Sequence, residues 1–381
     1  MSRRLKKKSP EKKKEDQRIV RERVRRIALL TSGGDAPGLN GVIRAAVKTA
    51  ILQYGMSVFG VREGFEGLLM DGGIFPLDMA SVRGLLPRGG TILGTRNTGE
   101  YHAFFERGTA KRRKELLWNG VRALNEYGID ALIAIGGEGS LYVASEFQKY
   151  GFPVVGVPKT IDNDLAATDY TFGFDTAVTI ATEALDRLTT TAESHDRVMI
   201  LEVMGRGAGW IALAAGIAGG ADIILIPEIP FSIGKIVEHI RLRESTGARF
   251  HIIVVAEGAR PKGRKAELTY TTPKGKKRLG GIAAWLAGEL GGRIENEIRY
   301  TVLGHLQRGG SPTAFDRILA TRFGAYAVHL AARREFGRMV SLRTPEITSV
   351  PIEEAIRTYH RVHKTEGMIR TARSIGLTFG D

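Results

Sequence analysis

At 381 residues the chain is too long for one minimal hydrophobic core and suits two α/β units, and 43% hydrophobic with 25% charged residues excludes a chain too polar to fold. The absence of cysteine excludes disulfides, thiolate catalysis and Cys-ligated metal; no apolar run approaches the roughly 20 residues of a membrane span, and the basic start lacks a secretory signal's apolar segment, so a cytoplasmic protein without a membrane partner is expected. The net charge of +15 is concentrated at one end: residues 1–26 carry thirteen Lys or Arg against four Asp or Glu, so 1–25 is expected to be a basic disordered tail, not a nucleic-acid-binding arm, ahead of a body suited to anionic substrates.

From Arg26 the sequence repeats an apolar strand, a Gly-rich turn and a helix, the pattern of a parallel sheet with helices on both faces. RIALLTS predicts the first strand and GLNGVIRAAVKTAILQYG the first helix, ending at Gly55. VRALNEYG then predicts a helix, ALIAIGG a buried strand, LYVASEFQKYG a helix stopped at Gly151, and PVVGV the next strand. After Gly173 a second series begins, with helices in DTAVTIATEALDRL, GWIALAAGIAGG and SIGKIVEHIRLR alternating with strands in RVMILEV, DIILIPE and FHIIVVAEG. PKGRKAELTYTTPKGKKRLG, basic and rich in Gly and Pro, predicts an exposed hairpin or loop. The expected fold class is α/β, two doubly wound lobes with mainly parallel sheets and the active site in the cleft between them.

In such sheets ligands bind beyond the carboxyl ends of the strands, and four segments lie there. TSGGDAPGLNG (31–41) sets Gly33 and Gly34 after a strand, where bare N–H groups and a helix start suit a phosphate, although a tight turn alone needs the same glycines. IGGEGSL (135–141) repeats the arrangement, placing Gly137, Gly139 and Ser140 around Glu138, an acid that can hold Mg²⁺ directly or through water. VPKTIDNDL (157–165) sets Asp162 and Asp164 two apart, with Lys159 and Thr160 before them. An Asx turn explains the pair in isolation; beside two phosphate loops, one carboxylate taking a proton while the other serves a metal is the better reading. The fourth group gathers cations: Arg197 in SHDR, Arg206 after Met204 and Gly205 in EVMGRGAGW, and Arg299, His305 and Arg308 in EIRYTVLGHLQRGGSP. These suit a sugar phosphate, and Glu257, after FHIIVVA, suits sugar hydroxyls; His305 reads equally as a structural histidine.

SGGDAPGLN, GGEGS, PKTIDND, EVMGR and GHLQRGGSPTAFDR occur in the order and spacing of the phosphofructokinase family, which the chain resembles from Arg26 to about residue 335. The resemblance implies Mg²⁺-dependent phosphoryl transfer from ATP, or alternatively pyrophosphate, to the 1-hydroxyl of fructose 6-phosphate in glycolysis. It implies Asp162 as general base, Thr160 and Asp164 at the transferring phosphoryl and the metal, Gly34 donating to that phosphoryl, Arg206 as a further catalytic group, and Glu138 placing Mg²⁺. Gly33, Arg96, Gly137, Gly139, Ser140 and Lys159 complete the implied donor site. Met204, Gly205, Arg206, Glu257, His305 and Arg308 would hold the sugar phosphate, while Arg197 and Arg299 would reach the 6-phosphate from a neighbouring subunit, in a homotetramer or homodimer with shared sites. Residues 26–174 plus about 307–357 would form the donor lobe, and 175–306 plus about 358–381 the fructose 6-phosphate lobe.

Departures from the family pattern matter for the donor. Glu138 stands where many members have Asp, and Lys159 where many ATP-using bacterial members have Gly. Pyrophosphate users carry Lys there but replace the equivalent of Gly139 with Asp, whose bulk would intrude on the nucleotide's α-phosphate; the open Gly139 favours ATP. Ungapped counting places Asn97, not Arg96, where the family has a donor-site arginine. Arg44 and Lys48 retain the cations of the family's allosteric site, yet RESTGAR lacks the lysine pair expected before FHIIVV, so regulation by ADP or phosphoenolpyruvate is not expected. Two rivals fit less of the sequence. A GGDG-type kinase for NAD or a lipid leaves PKTIDND and GHLQRGG unused, and a nucleic-acid-binding or scaffold protein leaves Asp162 and Asp164 inert.

Overall fold

The computed structural model describes residues 23–106, 109–263, 269–271 and 277–381. The expected basic tail lies outside the described residues, apart from its last few positions.

Strand β1 (Arg26–Ser32) sends Ile27 and Leu29 to one face of its sheet and Ala28 and Leu30 to the other, all fully buried. A strand covered on both sides must be apolar at every position, which is why the run lacks the alternation of a half-exposed strand. Helix α1 (Leu39–Tyr54) covers the Ile27 face, and β2 (Ser57–Val61) and β3 (Ile74–Leu77) extend the sheet outward. Helix α2 (Ala110–Glu126), β4 (Ala131–Gly136), α3 (Glu138–Lys149) and β5 (Val154–Pro158) follow, with α2 and α3 on the Leu30 face.

The chain then leaves this sheet along α4 (Phe174–His195) and builds a second one from β6 (Val198–Val203), β7 (Ile223–Leu225) and β8 (His251–Ala256). Helix α5 (Trp210–Ala218) lies with α4 on one face, and α6 (Ile233–Ser245) covers the other. Strands β9 (Thr269–Thr271) and β10 (Lys277–Leu279) pair antiparallel as the expected hairpin, whose remaining residues are outside those described. Helix α7 (Ile282–Leu290) joins α6, and β11 (Ile298–Val302) completes a four-stranded parallel sheet of order β11-β6-β8-β7. Helix α8 (Ala314–Ala332) returns to the first sheet, where β12 (Arg338–Arg343) and β13 (Glu346–Pro351) finish the order β13-β12-β5-β4-β1-β2-β3, antiparallel only at its two outer pairs. Helix α9 (Gly367–Ser374) packs its buried Ile369 and Ala372 into the second core.

Strands β1 and β4–β8 and helices α1 and α3–α6 match the sequence reading, while helices α7–α9 were not read and strands β2, β3, β11, β12 and β13 were not legible. They are outer or next-to-outer strands, interrupted by Gly60, Pro76 and Pro351, and their apolar signal is short. VRALNEYG is only the end of α2, whose first turns, AKRRKELL, are masked by charge. Among the described residues no helix is long and apolar enough to cross a membrane.

Helices α1 and α8 approach to backbone contact at Gly324, where an added Cβ would meet Val42 O at 2.4 Å and the Ala45 Cβ at 3.0 Å. Gly324→Ala should therefore lower unfolding stability by about 1–3 kcal/mol in urea titration, because the helices must separate; an unchanged midpoint would mean that this contact does not set their spacing.

Candidate active site

The carboxyl ends of β1, β4 and β5 surround a 290 Å³ cavity lined by both glycine loops, Arg96, Asn97 and Lys159. Gly33 N–H donates to Arg96 O (3.2 Å) and Thr95 Oγ1 donates to Gly33 O (2.6 Å), which holds the first loop open against the 95–97 segment. Gly137 caps α3, so Glu138, Gly139 and Ser140 occupy the helix's first turn, where backbone N–H groups lack intrahelical partners and favour an anion. No atom lies within 4 Å of the point where a Cβ on Gly139 would sit, so the space a nucleotide's inner phosphates would need is open there. Arg96 is turned to the rim, paired with Glu63 (Nε–Oε2 2.5 Å), and Asn97 lines the cavity beside it. Glu138 accepts a 2.5 Å hydrogen bond from the Tyr359 hydroxyl, and this bond, ahead of burial, pushes the phenol up to about 12.

Lys159, 4% exposed, donates its ammonium to Gly34 O. Burial, aided by the charge of Arg308, pushes it down to about 8, while Asp35, Asp164 and Asp162 act in the opposite sense. In the loop that follows, Asp162 N–H donates to Thr160 Oγ1 (3.1 Å), and buried Asn163, at φ 51°, accepts from Thr171 N–H (2.9 Å). The carboxyl-terminal segment clamps the far side: His360 N–H donates to Asp164 O (2.8 Å) and its Nδ1 lies 2.8 Å from Asn163 O. Trp210 in turn stacks on the His360 ring at 4.7 Å and donates Nε1–H to His360 O (2.9 Å).

Asp162 is thereby fixed with Oδ1 buried and without a hydrogen-bond partner among the described residues. Burial first, and then the charge of Asp164, pushes its carboxyl up to about 7; Glu257 adds to this, and Arg308 and Lys159 oppose it. An unsatisfied carboxylate oxygen is costly in a protein interior and marks a place for a proton donor or a cation.

From the second sheet, the turn after β6 presents Met204, Gly205 and Arg206, anchored where Met204 N–H donates to Oε1 of fully buried Gln307 (2.7 Å). Glu257 follows β8, its N–H on Val203 O (2.9 Å), and burial, then Glu202, raises its carboxyl above the ordinary range. Arg308, in the 3₁₀ turn Gly304–Arg308, reaches the first sheet, donating Nη1–H to Asp35 O (3.0 Å) and lying 3.0 Å from where a Cβ on Gly34 would be. The two sheets therefore bring Lys159, Asp162, Asp164, Glu257 and Arg308 to one seam, with exposed His305 on the same turn as Arg308. Arg197, just before the inner strand β6, and Arg299, on the outer strand β11, stand elsewhere, both paired with Glu297; the Arg197 Nε–Oε2 distance is 2.5 Å. Four residues of β11, Arg299 among them, are exposed. Sequence reasoning missed Tyr359, His360, Trp210, Glu63 and Glu297. Neither Tyr359 nor His360 has a glycine motif beside it, RTYHRVHK carries no apolar period, and Gln307, inside GHLQRGG, was not singled out.

A family model described as phosphofructokinase matches residues 26–331. The chain belongs to the phosphofructokinase family. It is 54% identical over 356 residues to an ATP-dependent 6-phosphofructokinase of Chloroflexus aurantiacus, covering 93% of this chain and 98% of that protein. It is also 54% identical over 334 residues to a pyrophosphate–fructose 6-phosphate 1-phosphotransferase of Amycolatopsis methanolica, covering 87% of this chain and 94% of the relative. The phosphofructokinase structure from Saccharomyces cerevisiae superposes with a TM-score of 0.72 at 34% identity, over 87% of this chain and 45% of that one, so this phosphofructokinase spans less than half of the yeast chain.

Because the Asp162 carboxyl sits near 7 in the folded chain against 3.8 ordinarily, the folded state binds its proton more tightly, and this residue's cost to stability grows as pH rises from about 4 to 7 and is complete above. Asp162→Asn should therefore raise Tm at pH 8 and not at pH 4 in calorimetric scans. Equal gains at both values would separate the effect from ionisation.

Proposed function

We propose that this phosphofructokinase family member is an ATP-dependent 6-phosphofructokinase that transfers the γ-phosphoryl of ATP to the 1-hydroxyl of fructose 6-phosphate, forming fructose 1,6-bisphosphate in glycolysis. The observation that carries the reading is the buried, unpartnered Asp162 Oδ1 at a seam supplied with Lys159 and Arg308 from opposite sheets. Asp162 accepts the hydroxyl proton, and a carboxyl near 7 is matched to that task at neutral pH. Lys159 and Arg308 offset charge on the phosphoryl oxygens, and Gly34, with the first turn of α3, donates backbone N–H groups that need no rearrangement. Arg206, Met204, Glu257 and His305 hold the sugar phosphate.

Mg²⁺ supplies charge neutralisation across the donor phosphates when bound. Glu138, fixed by Tyr359, and Asp164, fixed through His360, are the residues to hold it. Among the described residues no group of three or more His, Asp or Glu forms a protein-only metal site, which suits an ion that takes most of its ligands from phosphate and water. Pyrophosphate is the second reading for the donor, favoured by buried Lys159 on the phosphate loop; the open space at Gly139 favours ATP.

Arg197 and Arg299 lie at the amino ends of β6 and β11, opposite the carboxyl ends that bring Met204 and Glu257 to the seam, so these arginines serve the 6-phosphate of a neighbouring copy in a homodimer or homotetramer. Residues 26–174 plus about 307–357 act as the donor lobe and 175–306 plus about 358–381 as the sugar-phosphate lobe, in a cytoplasmic enzyme.

A coupled assay of fructose 1,6-bisphosphate formation, run with ATP and with pyrophosphate, should give turnover with ATP. Turnover with pyrophosphate alone would reverse the donor, and silence with both would overturn the substrate. Asp162→Ser should lower kcat by about 10²–10⁴-fold while fructose 6-phosphate still binds; a parallel loss of binding would remove Asp162 from the role of base.

A further inference from the structure

Residues 359–362 are fastened to the loops of both sheets, and neither the proton nor the phosphoryl transfer calls for that double attachment. On the side of the first sheet, Tyr359 pairs as an antiparallel bridge with Leu165, and its hydroxyl donates to Glu138 Oε2 (2.5 Å) at the start of α3. His360 N–H donates to Asp164 O (2.8 Å), and because a carbonyl oxygen only accepts, the contact with Asn163 O (2.8 Å) puts a proton on its Nδ1. On the side of the second sheet, Trp210 stacks on the His360 ring with centroids 4.7 Å apart and donates Nε1–H to His360 O (2.9 Å). Val362 N–H donates to Glu228 Oε1 (2.9 Å), the atom that also takes Gly209 N–H (3.0 Å) just before Trp210.

The second attachment is rigid. A Cβ on Gly209 would fall 2.4 Å from Ile226 Cβ, and one on Gly258 2.1 Å from Arg206 O, so the turn from Arg206 to Trp210 is packed hard against the loops after β7 and β8. Trp210 itself is buried. Tyr359 differs: its side chain is half-exposed, with the Arg361 guanidinium 5.7 Å from the ring centre, and an exposed aromatic is ordinarily free to turn. Here the bridge to Leu165 and the bond to Glu138 station it. Arg206 lies in the turn assigned to the sugar phosphate and Glu138 in the donor loop, so one short run of contacts, Trp210 to His360 to Tyr359, joins the two ligands' surroundings.

We infer that Tyr359 is a positioning residue for the reaction, and that residues 359–362 are a strap through which the sugar-phosphate side sets the seat of Glu138 and so the affinity for the donor. The strap rests on the reading of the site as one for fructose 6-phosphate and a phosphoryl donor. A carboxylate that meets an ion is oriented by the groups that hold it. In this chain the holding hydroxyl is itself held through His360 and Trp210, and coupling of this kind is reciprocal: the factor that one ligand imposes on the other is returned.

The test is isothermal titration of the full-length protein with fructose 6-phosphate and with the Mg²⁺ complexes of adenylyl imidodiphosphate and imidodiphosphate, unreactive counterparts of ATP and pyrophosphate. In the wild type, saturation with one of these analogues should change the affinity for fructose 6-phosphate about fivefold or more, by the same factor in either order of addition, and Y359F or W210F should bring that factor below about twofold while each ligand alone still binds. H360N, whose amide N–H can replace the Nδ1–H, should keep the coupling that H360A loses. Y54F, which deletes a tyrosine hydroxyl bonded to His329 elsewhere in the molecule, should leave it unchanged. Independent binding in the wild type, or a factor that survives in both Y359F and W210F, would overturn the strap and leave the proposed reaction standing. A wild type that binds neither analogue, or does not bind fructose 6-phosphate, would overturn the reaction and the strap with it.

Discussion

The contact between Asp316 and Thr176 sits at the point where the chain is divided between two sheets. Asp316 Oδ2 accepts from Thr176 N–H (2.8 Å) and from its hydroxyl (2.6 Å), and Thr313 bonds across the same joint to Asp175 at 2.6 Å. These residues lie at the starts of α4 and α8, the helices by which the chain leaves the first sheet and returns to it. Asp316 is fully buried and its carboxyl is pushed up to about 6 by that burial, a cost that the donors from Thr176 partly offset. With the joint fixed, Gly304–Arg308 is held just ahead of α8, and Arg308 can reach from one sheet to the loop after β1 of the other. The seam depends on that reach.

Burial acts in opposite senses on the two central ionisable groups. It drives the Lys159 ammonium down and the Asp162 carboxyl up, so a base and an acid that would ordinarily titrate far apart approach each other around neutrality. In water both would be fully charged at neutral pH and tightly hydrated. Here a dry seam keeps them responsive to whatever charge arrives, and the arriving phosphoryl group and metal are what that charge would be under the proposed reaction.

Much of this was legible because parallel sheets buried on both faces leave continuous apolar strands, and their phosphate loops need glycines at the strand ends. RIALLTS followed by Gly33 and Gly34, or ALIAIGG followed by Glu138, expresses both demands within a dozen residues. What escaped was whatever depended on the chain coming back. The outer strands mix polar residues, Gly or Pro into their apolar runs, and Tyr359 and His360 gain their meaning only by touching Glu138 and the Asn163–Asp164 backbone some two hundred positions earlier. Arg197 and Arg299 were found as cations, but nothing in their local sequence says that Glu297 gathers both.

That return of the carboxyl-terminal segment has a temporal side. Strands β12 and β13 complete the first sheet only after residue 337, and the clamp on Asp164 and Glu138 arrives with residues 359 and 360. During synthesis both phosphate loops and Asp162 emerge long before the residues that hold them. A nascent chain that has not yet released residues 359 and 360 thus carries the chemical groups of the site without their restraint, and competence waits on that returning segment instead of arriving lobe by lobe.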